Sequence, residues 1–139
     1  MAHGILQNMI EKNKLVGQIE VGSAGTNPLM FGHPYHKSTI KVLAIHGIEF
    51  HGRSRTIDYD DLVYFDYILA LDNSIKSDLL DLDIRKEFVQ KIDCLLSYAT
   101  KPPSVLDVPD PYYGTFENFE DCYTMIHDAC TNLFQKIKK

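Results

Sequence analysis

The chain has 139 residues, 45% hydrophobic and 24% charged, with 14 Lys+Arg against 19 Asp+Glu for a formal net charge of −5. That is enough apolar chain for one domain with its own core, and it excludes collagen-like repeats, wholesale disorder and a disulfide-stapled miniprotein. The acidic balance argues against a nucleic-acid binder. The longest apolar run, Tyr67-Ile68-Leu69-Ala70-Leu71, falls far short of the roughly 20 residues a membrane span needs, so neither nucleic acid nor membrane is an expected partner.

The first element is helical, because Ala2, Ile5, Leu6, Met9 and Ile10 share one face at helical spacing; nothing ahead of it can cap its first N–H groups. This opening segment is amphipathic and does not read as a signal peptide. Residues 18–22 alternate like a strand that ends in the small-residue turn Ser23-Ala24-Gly25-Thr26. A helix follows over 39–46, with Ile40, Leu43 and Ala44 on its apolar face and Gly47 at its end. Residues 58–64 form a short helix. The run 67–71, bounded by Asp66 and Asp72, reads as a strand buried on both faces. Residues 73–82 are helical, 91–95 a short strand, and 100–114 a Pro-rich loop. The last helix is the clearest, its stripe running from Phe116 through Phe119, Cys122, Tyr123, Ile126, Ala129, Cys130, Leu133 and Phe134 to Ile137. Strands alternating with helices predict one α/β domain over 1–139, three layers deep, around an open, mostly parallel sheet. Ligands of such sheets sit beyond the carboxyl ends of the strands, which draws attention to residues 23–26, 72–74 and the loop around Asp110.

Three cysteines, Cys94, Cys122 and Cys130, are an odd number without paired spacing and fit a reduced set of thiols in the cytoplasm. His3, His33, His36 and His51 show no metal-ligand spacing, so neither a metal nor a cofactor is expected. His46, next to Gly47, reads as a packed or capping histidine. In Asp107-Val108-Pro109-Asp110-Pro111-Tyr112-Tyr113-Gly114, an acid before proline has a restricted backbone that can hold a carboxyl over a site, and paired tyrosines can wall a pocket. An Asp-Pro turn with surface tyrosines would have the same composition.

Further short motifs occur in a fixed order. They are Met1-Ala2-His3-Gly4, Ser23-Ala24-Gly25-Thr26, Gly32-His33-Pro34, His46-Gly47-Ile48, Arg55-Thr56-Ile57 and Phe65-Asp66-Tyr67-Ile68-Leu69-Ala70-Leu71-Asp72. With Asp-Pro-Tyr-Tyr-Gly, this order resembles that of the low-molecular-weight protein tyrosine phosphatases over essentially the whole chain. Two places depart from the family pattern: His36-Lys37-Ser38 after Gly32-His33-Pro34, and Ser74-Ile75 after Asp72.

The resemblance implies hydrolysis of phosphotyrosine in proteins, or of aryl phosphates, through a phosphocysteine. Asp110 then matches the general acid, and Tyr112 and Tyr113 match the walls of the aryl pocket. Ser23 matches a serine that shapes the phosphate loop, or is a plain turn hydroxyl. Arg55 and Asp72 match polar positions near the base of that loop, or form a solvated surface pair. The family's nucleophile stands in Cys-x-x-Gly-Asn-x-Cys-Arg-Ser-Pro, at the end of a central strand just before the Met-Ala step. Here that strand and loop are expected to lie ahead of Met1, which makes the domain N-terminally truncated. No cysteine present replaces them, since the residues six positions after the three cysteines are Thr100, Asp128 and Lys136. The chain is therefore expected to be inactive by itself and to form a homodimer that covers the gap in its sheet. A non-catalytic binding or dimerisation module is the alternative. An arsenate reductase-like protein is a weaker one, since only Cys94 stands where a redox relay would be needed.

Overall fold

The computed structural model describes residues 1–27, 32–109 and 114–138. In chain order these form α1 (Ala2–Lys12), α2 (Lys37–Ile45), α3 (Tyr59–Tyr64), β1 (Ile68–Ala70), α4 (Asn73–Leu82), β2 (Ile92–Cys94) and α5 (Phe116–Ile137). Short 3-10 turns, Val89–Lys91 and Leu95–Tyr98, flank β2.

The strands pair in parallel, Ile68 opposite Ile92, Leu69 opposite Asp93 and Ala70 opposite Cys94. Side chains alternate across a strand, and β1 uses that alternation to divide two cores. Leu69 packs against one cluster built from α1, α2 and α5, with Ile5, Leu43 and Leu133 at its centre. Ile68 and Ala70 enter the other, with Leu62 of α3 and Leu79 of α4. Helices thus cover both faces of a parallel sheet, in the expected three-layer α/β/α arrangement.

Helix boundaries follow local chemistry. Asp58 caps α3 in a reciprocal box with Asp61, each side chain accepting from the other's backbone N–H. α2 starts at Lys37, ahead of the expected residue 39, because the His36 ring accepts from Ser38 N at 3.0 Å. Its buried pair is Val42 and Leu43 while Ala44 is exposed, so the apolar face is rotated from the one read in the sequence. Gly47, just past the helix end, has φ +79°, the left-handed conformation glycine adopts without a Cβ clash. α5 buries Phe119, Cys122, Tyr123, Ile126, Ala129, Cys130, Leu133 and Phe134 of the expected stripe, while its end residues Phe116 and Ile137 are half-buried against the same core.

Two strand expectations need correction. Residues 18–22 form no strand; among the described residues this region makes only isolated bridges, Val16 with Ile19 and Gly25 with Thr56. A strand exists through the partner that takes its N–H and C=O groups, and on this flank of β1 there is a cleft instead. The same cleft explains why the run 67–71 is not buried on both faces, Tyr67 being 38% and Leu71 37% exposed.

Candidate functional site

A cleft of about 860 Å³ separates residues 16–24 from β1. Its walls are mostly apolar: Leu6 of α1 and Leu133 of α5 on one face, Ile57, Phe65 and Leu79 on the other. Ser23 and Arg55, two of the residues singled out from the sequence, both line it.

Ser23 Oγ lies 2.8 Å from His3 Nδ1 and 3.2 Å from the Tyr35 hydroxyl, a part-buried hydrogen-bonded set that joins α1 to the turn after residue 22. Burial pushes the His3 imidazole below its ordinary pKa, and nearby positive charges, Arg55 among them, push the same way. The ring is therefore neutral at pH 7, one nitrogen a donor and the other an acceptor. Neither His3 nor Tyr35 had a sequence signal as a partner of Ser23, since both contacts are long-range.

Arg55 is tied up. Its Nη1 and Nη2 donate to Asp61 Oδ2 and Oδ1, both at 2.9 Å, in the bidentate geometry that suits guanidinium and carboxylate. The hydrogen bond from Arg55 holds the Asp61 carboxyl below its usual range despite its desolvation. Asp72 is elsewhere, capping α4 by accepting from Ile75 N at 2.7 Å. The surface pair of Arg55 with Asp72 is thus not formed; each found a nearer partner, Asp61 across six residues and a free helix N–H across three.

Asp110, Tyr112 and Tyr113 lie outside the described residues; the residues on either side of them are held by identifiable contacts. Val108 N donates to Leu71 O at 2.7 Å, which fastens the incoming loop to the carboxyl end of β1. Asp107 Oδ1 accepts from the backbone and side-chain nitrogens of Asn73, at 2.8 and 2.9 Å. The Cys122 thiol donates to Pro109 O at 3.2 Å, so α5 holds the residue immediately before Asp110. On the far side, Asn118 Oδ1 accepts from Thr115 N at 2.9 Å, and a Cβ at Gly114 would overlap that oxygen. Asp107 is the anchoring residue that the sequence reading passed over, though its place three residues before an Asp-Pro step was a usable signal.

All three thiols are buried, and none of them is in a disulfide. Burial raises the Cys130 thiol to about 12 and pushes Cys94 upward too. His46 ends α2, stacks on Tyr123 with ring centroids 3.7 Å apart, and meets Glu120 at 3.0 Å, the packed and capping role expected of it. Among the described residues no three His, Cys, Asp or Glu side chains gather as metal ligands, and no helix is long and apolar enough to cross a membrane.

The chain matches the low molecular weight phosphotyrosine protein phosphatases over residues 1–139. It is 35% identical over 140 residues to the low molecular weight protein-tyrosine-phosphatase YfkJ of Bacillus subtilis (strain 168), the alignment covering 100% of this chain and 87% of that protein. PtpA of Staphylococcus aureus (strain Newman) is 34% identical over 100% of this chain and 85% of its own length. The crystal structure of a protein tyrosine phosphatase from Entamoeba histolytica, with Hepes in its active site, superposes with a TM-score of 0.89 at 31% identity. That superposition covers 99% of this chain and 86% of the other. The chain belongs to the low molecular weight phosphotyrosine protein phosphatase family.

Proposed function

We propose that these 139 residues carry the general-acid part of a phosphotyrosine phosphatase and do not turn over phosphate esters by themselves. One observation carries this reading: no cysteine here has an arginine six positions on, and each thiol is buried. Thiolate chemistry needs a lowered pKa in an electropositive, reachable place, whereas burial acts in the opposite direction on Cys94 and Cys130.

In the family's reaction, a thiolate attacks phosphorus, an S–P bond forms and the aryl O–P bond breaks. Asp110 is assigned the proton that the departing phenolate oxygen takes. Water then cleaves the S–P bond, its proton passing to Asp110, and inorganic phosphate and the thiolate are released. Tyr112 and Tyr113 are assigned the walls of the pocket for the phenyl ring, so the substrate class is phosphotyrosine in a protein or another aryl phosphate. The anchoring of Val108 and Pro109 supports this role, because an acid must be held within hydrogen-bond reach of its leaving group. Three buried thiols outside any disulfide suit a reducing compartment such as the cytoplasm.

Hydrolysis of p-nitrophenyl phosphate by the purified chain is the test. The expected rate is that of buffer alone, and turnover abolished by Asp110→Asn would show a nucleophile within these residues and overturn the reading. A binding role without turnover is the second reading, favoured by the size and apolar lining of the cleft beside Ser23.

A further inference from the structure

A second cavity, of about 210 Å³, lies where α1, α5 and the C-terminal end of α2 meet, and none of the residues lining it lines the cleft. Its base is apolar: Ile5 and Ile48 are buried, and Met9 packs against the same core. Three flat rings in near-parallel order form one side. His46 stacks on Tyr123 with centroids 3.7 Å apart and planes 8° apart, and His127 meets Tyr123 at 5.5 Å and 22°. Asn8, Lys12 and His127 supply further polar side chains, and Lys12 and His127 are exposed at the rim. Among the described residues Lys12 has no ion-pair partner and no carboxylate lines the cavity. Glu120 meets His46 Nε2 at 3.0 Å and fixes that ring without lining the cavity itself.

We infer that this cavity binds a small carboxylate with a flat apolar body, a ligand of the benzoate class. Size sets the body. An apolar cavity of about 150 Å³ takes one benzene ring, and the remaining space, about 60 Å³, is the share of two waters and accommodates a carboxylate. Charge sets the head group. An ammonium without a partner, beside the N–H donors of an amide and an imidazole, suits oxygens that only accept, in charge-assisted hydrogen bonds. The ring-lined side favours an aromatic body over a branched aliphatic one, because ring pairs gain beyond the area they bury. Inorganic phosphate would answer the charge but leave the apolar base without a contact. The inference goes beyond the phosphatase reading and does not rest on it, since the cavity uses neither Ser23, Arg55 nor the loop around Asp110.

The test is titration of the chain, ¹³C-labelled in its Ile and Met methyl groups, with sodium benzoate, benzamide and sodium phosphate at matched ionic strength. The expected result is a saturable shift of the Ile5, Ile48 and Met9 methyls with benzoate. Benzamide should bind more weakly by about tenfold or more, since it gives up a hydrogen bond between charged groups. Lys12→Met keeps the length of the side chain, removes its charge and should weaken benzoate by a similar factor while leaving benzamide unchanged. Asn8→Phe, which fills the cavity, should abolish binding of both. If that variant fails to fold, Lys12→Met decides, because it alters only an exposed position. Equal affinity of benzoate and benzamide, an equal response to phosphate, shifts centred on other methyls, or no saturation at all would each overturn the inference. The readout is binding, so loss of this inference leaves the phosphatase reading untouched, and turnover of a phosphate ester leaves this one untouched.

Discussion

Alkylation of the thiols by iodoacetamide at pH 8 separates a buried structural cysteine from a nucleophile. A thiol titrating near 9.0 is about one-tenth thiolate at that pH, while Cys130, held at about 12, is about one part in ten thousand. The thousandfold loss of thiolate is partly offset, because a more basic thiolate attacks faster with a Brønsted coefficient of about 0.4–0.5. About 30- to 60-fold slowing therefore remains from ionisation alone. Cys130 and Cys94 are also fully inaccessible, so reaction must await local opening, which adds to that factor. The assay follows intact mass with time, with the chain in concentrated urea as the reference. Three equivalents are expected quickly in urea, with Cys130 in the folded chain slower by more than about 30-fold. A folded-state thiol that reacts as fast as its unfolded counterpart would be an activated one. The inactivity proposed for these residues would then lose its basis.

Two further outcomes follow from the side-chain hydrogen bonds of Asp72 and Arg55. Asp72→Ala should cost about 1 kcal/mol in urea unfolding through loss of the α4 cap, and Asp72→Ser should restore most of it; an unchanged midpoint for the alanine variant would deny the cap its role. Asp61 is held below its usual range by Arg55, so its contribution is fully present above about pH 5 and is lost as pH falls through its folded-state pKa. Arg55→Gln should flatten that acid limb of stability while leaving the neutral-to-basic side nearly level, and an unaltered acid limb would rule out the pair as its source.

Much of this molecule was determined by local sequence. α5 was legible because its apolar residues recur at helical spacing over 22 residues, and only a helix buries them all on one side. The short helix after Asp58 and the one after Asp72 were legible because aspartates stand where free N–H groups need acceptors. Membership of the family was legible in short motifs whose order spans the chain. What only the tertiary structure decided were relations between distant segments. Ser23 is held by His3 and Tyr35 across 20 and 12 residues, and Pro109 by Cys122 across 13, none of which local pattern can announce. Residues 18–22 have the alternation of a strand, yet strand structure belongs to a pair of segments and not to one. Whether a partner lies alongside is settled by what occupies the flank of β1, and here that is a cleft.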